Sequence, residues 1–156
     1  MKKFAANYLV ADSGDYLKNS IIVAGEDGFA VQHIDTKGDL REIAQLTFLN
    51  GILMAGCIFV KTKAANSGSD QPFESTVMNL TAESIQFSIQ DMIGLGKQIQ
   101  LQFPEMKIPE IMNRITEVLL TTGGFTKENI AGIFLLNGVD LVNLHFTSKS
   151  RLKRIH

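Results

Sequence analysis

A chain of 156 residues, 45% hydrophobic and 20% charged, has globular composition and can bury roughly two-thirds of the surface its unfolded form exposes. With 15 basic against 16 acidic residues the net charge is −1, so neither nucleic acid nor a membrane is expected as partner. The lone cysteine, Cys57, excludes an internal disulfide and any multi-cysteine zinc site, and its apolar neighbours Ile58-Phe59-Val60 suit a buried structural thiol.

The first sixty residues read as strands. Phe4, Ala6, Tyr8 and Val10 alternate with smaller or polar neighbours, as one face of a strand should. Ser13-Gly14-Asp15 supplies a turn. Glu26-Asp27-Gly28 lies between the apolar runs Ile21–Val23 and Phe29–Val31, which predicts a hairpin. Leu46–Leu49 and the run from Ile52 to Val60 complete a β half over 1–60. Asn7 and Asp12 interrupt the N-terminal segment before a signal-peptide core can form, and no stretch approaches the ~20 apolar residues of a membrane span. A cytoplasmic location is the expectation.

Composition changes after Val60. Residues 61–76 are small and polar without periodicity, and read as a linker. Over 77–122 the pattern is helical. Ile85, Ile89, Met92, Gly96, Ile99 and Phe103 form one apolar stripe, closed by Pro104. Pro109 suits the first turn of a second helix, whose buried face is Ile111, Ile115, Val118 and Leu119, with Gly123-Gly124 as its stop. Closing strands are expected over 130–155: Ile133–Leu136, an Asn137-Gly138 turn, then alternating Val142, Leu144 and Phe146. A short terminal strand cannot bury its apolar face alone, so strands from both chain ends should share one sheet. The expected fold class is α+β: a small β sandwich or twisted sheet built from N- and C-terminal strands, with two packed helices.

The segment Leu17–Val23, followed by Phe48-Leu49-Asn50-Gly51-Ile52-Leu53-Met54-Ala55-Gly56, resembles the opening strands of the amidohydrolase superfamily. Phe87-Ser88-Ile89, Phe103-Pro104, Pro109–Met112 and Gly138–Leu144 are similar to that family's last helices and closing strands. The resemblance covers residues 4–60 and 77–155. It implies a frame of β structure that carries a catalytic metal barrel in the family. Here the stretch from Lys61 to Asn79 is a small fraction of the ~250 residues an eight-stranded α/β barrel takes. The family's His-x-His positions fall on Lys61-Thr62-Lys63, and an ammonium has no lone pair to donate to a metal. Its metal-binding Asp falls near Asn79. The resemblance therefore implies a barrel-less relative with neither a metal site nor a cofactor.

The remaining candidates have bland readings. His33, His145 and His156 form no closely spaced metal-ligand pair. Gly94-Leu95-Gly96-Lys97 echoes a phosphate loop but lies inside the helical stripe, where a small residue for close packing explains Gly96 better. Asp70, Glu74 and Glu83 read as solvated carboxylates. Lys149, Arg151, Lys153, Arg154 and His156 make a basic end suited to a solvated strand edge. The expectation is a non-catalytic binding or assembly module, partnered by itself as a homo-oligomer or by a homologous enzyme. The alternative is a small-anion or ligand-binding protein, or an atypical enzyme, using the Lys61/Lys63 face with Asn79.

Overall fold

In the computed structural model, residues 1–10, 16–27, 29–55, 91–122 and 132–156 are described. Strands β1 (Lys2–Val10), β2 (Tyr16–Lys18), β3 (Ile21–Ala24), β4 (Ala30–Ile34) and β5 (Leu46–Ala55) precede helices α1 (Met92–Gln102) and α2 (Ile108–Thr122). Strands β6 (Ile133–Asn137) and β7 (Arg151–Arg154) follow. All seven strands lie in one mixed sheet of order β4-β3-β1-β5-β6-β7, with β2 also paired to β1. The α+β expectation holds, and both chain ends do contribute to the same sheet: Ile52, Leu53, Met54 and Ala55 of β5 pair antiparallel with Leu136, Leu135, Phe134 and Ile133.

β2 and β3 are one strand interrupted. Both run antiparallel to β1, and the register that pairs Tyr8 with Lys18 continues unchanged to Ala5 with Ile21. Between them Asn19 takes φ 51, and its N–H donates to the Asn7 carbonyl at 3.1 Å. The predicted hairpin joins β3 to β4; Gly25 N donates to Phe29 O, and the Asp27 carboxylate accepts from Phe29 N at 3.2 Å. Gly28 and the expected turn at Ser13-Gly14-Asp15 lie outside the described residues.

β5 runs parallel to β1 on the side away from β3, so residues 35–45 must cross one face of the sheet to reach it. Leu40 and Ile43 of that crossing pack on Ala5, Ile21 and Val23. Leu46–Leu49 and the run beginning at Ile52 are one strand, with a bulge where the sequence suggests a break. The register shifts between Ala6 and Tyr8, and the Asn7 side-chain oxygen accepts from Gly51 N at 2.7 Å. Gly51 sits at φ +141, and a Cβ there would lie 2.3 Å from the Leu136 carbonyl oxygen. A bulge leaves a ladder group unpaired; here a side chain satisfies it and a glycine lets the neighbouring strand close in.

Successive side chains of a strand point to opposite faces. Residues 52–55 and 133–136 are all buried, so the sheet is covered on both faces at its centre. This also replaces the clean alternation expected in β1, where Phe4, Ala5 and Ala6 are buried in succession. The stripe of α1 (Met92, Ile93, Leu95, Ile99) and that of α2 (Ile111, Met112, Ile115, Val118) join the sheet's main apolar cluster. Each such side chain contributes roughly 1.5–3 kcal/mol by leaving water. Ile85, Ile89, Gly123-Gly124 and the Leu119 side chain lie outside the described residues. Gly96 is a packing residue as expected, since a Cβ there would meet the Phe146 ring at 2.8 Å.

The closing segment differs from expectation. Val142, Leu144 and Phe146 do not alternate along a strand; the last strand is β7, and residues 138–150 form a structured loop. Asp140 and His145 make an isolated bridge, and the Asp140 carboxylate folds the chain between them by accepting from Val142 N and Asn143 N. Val142 is consequently 90% exposed while Leu144 is buried.

The sheet is also curled. The His156 ring Nε2 lies 2.8 Å from the Gly25 carbonyl oxygen, and its ring centroid is 6.1 Å from that of Phe4. A carbonyl only accepts, so Nε2 is the donor. Strands are ~4.8 Å apart, so in a flat sheet β7 and β3 would be roughly 19 Å apart. Contact between their ends requires the twist to roll the sheet upon itself.

The bulge gives the first prediction. Gly51→Ala should cost about 2–4 kcal/mol in chemical denaturation, from strained backbone and the clash with Leu136 O. Gly94→Ala, in α1 with open space around its Cα, should be neutral or stabilising by up to about 1 kcal/mol. Equal effects at the two glycines would refute this account of the bulge.

Candidate functional site

Lys61, Lys63, Asn79 and Cys57 lie outside the described residues, as do Asp70, Glu74 and Glu83. The three histidines are on separate elements: His33 on β4, His145 in the loop and His156 after β7. Among the described residues no group of three or more His, Cys, Asp or Glu is placed to hold a metal ion. None of their helices is long and apolar enough to cross a membrane.

The described residues do form one notch that sequence reasoning missed. It lies where the β5 bulge meets the start of the 138–150 loop, and Asn50, Gly51, Gly138, Val139 and Leu141 line it. Its volume is about 120 Å³. That holds about four waters at ~30 Å³ each, well below the ~300 Å³ at which ordinary ligand pockets begin. No titratable side chain lines it. It can exchange hydrogen bonds through the Asn50 amide and exposed backbone, but it contains no acid, base or nucleophile.

The loop beside it is built mainly from side chain to backbone bonds. Gly138 turns at φ +67, where a Cβ would meet the Lys149 carbonyl oxygen at 2.2 Å. The Gly138 carbonyl accepts from the Thr147 and Ser150 hydroxyls, and Thr147 N donates to Ser150 Oγ at 2.8 Å. Two bonds hold the loop to the helices. Phe146 N donates to Gln100 Oε1 of α1 at 2.9 Å, and Leu144 O accepts from Ile108 N at the start of α2, also at 2.9 Å. The second bond satisfies one of the orphan amides of a helix N-terminus. Asn137-Gly138 was the visible signal for the first turn; the Asp-x-x-Asn spacing of Asp140 and Asn143 was the overlooked signal for the second.

Asp140 lies at the centre of the second turn. The Asn143 side-chain amide, 2.8 Å away, holds its carboxyl below the ordinary carboxylate range. The Asn143 N–H acts in the same direction, and so, more weakly than the opposing desolvation, do the Val142 N–H and the nearby His145. These interactions stabilise the charged form of a turn residue. The carboxylate is spent on the loop's own amides, and its surroundings are those of a structural cap.

No family model, curated protein or solved structure matches this chain.

A group whose folded pKa is depressed stabilises the fold at pH values above its unfolded pKa, near pH 4, and loses that contribution as pH falls through the folded value. A carbon-detected NMR titration should find Asp140 below the ordinary aspartate value. Asn143→Ala should move it upward by removing the largest cause. An unchanged midpoint in that variant would show that the side-chain amide does not matter.

Proposed function

We propose that the chain is a non-catalytic binding or assembly module, derived from an amidohydrolase-like frame that has lost its barrel. The carrying observation is the junction of β5 and β6. Ala55 pairs with Ile133, so the strands before and after the chain's middle meet side by side as neighbours in one sheet. That arrangement suits a frame that closes around whatever lies between its halves, which is the role the resembled family gives to its β structure. The Lys61-Thr62-Lys63 sequence argues in the same direction, because ammonium groups stand where imidazoles would have to hold a divalent ion.

The described polar side chains support a structural reading. Asn7 completes the bulge, and Asp140, Thr147 and Ser150 hold the loop. Ser20 is fully buried at the crossing of β3 and residues 35–38, where its Oγ accepts from Thr36 N at 3.2 Å. Meanwhile Phe29 just before β4, Val31 of β4 and Phe48 of β5 remain 42%, 58% and 48% exposed. Apolar surface of this kind favours a protein partner, with about 25 cal/mol gained per Å² reburied. The partner is a second copy of the chain or a homologous intact enzyme.

Two measurements on the purified full chain test the reading. Elemental analysis should find no stoichiometric zinc, iron or nickel, and sedimentation should find concentration-dependent association. One metal ion per chain would overturn the non-catalytic assignment. A clean monomer at high concentration would overturn self-assembly.

A further inference from the structure

Asp140 is the last acidic residue of the chain, and Lys149, Arg151, Lys153 and Arg154 follow it although the net charge is −1. Three of these cations stand exposed on β7, while the Leu152 side chain between them is buried in the core. None of the four is in an ion pair with a described residue. β7 is also an edge strand: β6 pairs with one side of it, and among the described residues no strand pairs with the other. Ile155 N donates to Ile133 O at 2.8 Å, and bonded and non-bonded pairs alternate along an antiparallel ladder. Arg151, Lys153 and Ile155 therefore turn their backbone groups to β6, and Leu152 and Arg154 turn theirs to the open side. Among the described residues nothing bonds those outward groups.

We propose that the β7 edge binds an acidic, extended segment of a partner protein as an added antiparallel strand. The inference deepens the binding reading above by giving the partner's chemistry, and rests on it. Residues opposite Leu152 and Arg154 form the hydrogen-bonded pairs, and the main chain of the segment supplies their donors and acceptors. Residues opposite Arg151 and Lys153 fall in the non-bonded pairs, where facing side chains come closest. Arg151 and Lys153 lie on one face of the sheet, so acids at alternating positions of the segment meet both. Arg154 lies on the other face, and its Nε donates to the His156 carbonyl at 3.3 Å.

Charge selects the occupant. A second copy of β7 would set cations against cations, whereas an acidic strand neutralises them, so the same side chains exclude one partner and attract the other. A nucleic acid would match the charge but not the outward backbone groups, and β7 carries no aromatic side chain on which bases could stack. The strand has 4 residues, so the added ladder is short and the affinity low, with a strong dependence on salt.

Fluorescence anisotropy with the full chain tests this, using a labelled synthetic peptide of alternating glutamate and valine. The peptide should bind, more weakly as salt rises, and hydrogen exchange should slow at the Leu152 and Arg154 amides. A lysine–valine peptide should not bind. N-methylation of the valines removes the donors of the added ladder, keeps every charge, and should abolish binding. Arg151→Gln and Lys153→Gln should each weaken binding about two- to fivefold, as exposed ion pairs do, with circular dichroism and melting unchanged. Binding indifferent to N-methylation, or a thymidine oligonucleotide of equal charge that displaces the peptide, would overturn the added strand in favour of a general anion surface. A glutamate–valine peptide that fails to bind would sink the β7 assignment by itself, since metal analysis and sedimentation test the module reading separately.

Discussion

Strand β5 is hydrogen-bonded on both edges, by β1 from earlier in the chain and by β6 from much later. Those two ladders have opposite sense, parallel on one side and antiparallel on the other, and the rest of the architecture accommodates them. The parallel ladder obliges residues 35–45 to cross the sheet, which covers one face with Leu40 and Ile43. The antiparallel ladder draws in the C-terminal strands, and α1 and α2 bury their stripes in the resulting cluster. The bulge at Asn50-Gly51 lies between the two demands, where Asn7 supplies the acceptor and the absent Cβ of Gly51 admits the Leu136 carbonyl.

Much of this was legible locally. The Glu26-Asp27-Gly28 signal located the β3–β4 hairpin, the stripe through Met92, Gly96 and Ile99 located α1, and Pro104 marked its end, with Phe103 as the C-cap residue. Pro109 lies in the first turn of α2. That strands from both chain ends share one sheet followed from the burial requirement of short strands, whereas the pairing of Ile52–Ala55 with Ile133–Leu136 has no signal in either segment.

Misreadings arose where side-chain chemistry imitates or interrupts a period. Val142, Leu144 and Phe146 have the spacing of a strand, but Asp140 gathers the intervening amides into a turn and Leu144 adopts φ 54. Asn50-Gly51 looks like a break between two strands because polarity and glycine usually mark one, yet the ladder continues past it. The curl has no local sequence signal at all: the contact from His156 to Gly25 joins residues nearly at opposite ends of the chain. The notch beside Gly138 was invisible for the same reason, being formed by the β5 bulge and a loop that follow one another only in space.

The β5–β6 ladder has a consequence for synthesis on the ribosome. Residues Ile52 to Ala55 emerge well before Ile133 to Leu136 exist, and translation at ~5–20 residues per second leaves roughly 4–16 s between them. During that delay the buried second half of β5 has one unsatisfied edge and an uncovered apolar surface. Its nascent chain is therefore a natural client for holding chaperones, and slow codons between the two strands would lengthen that exposure.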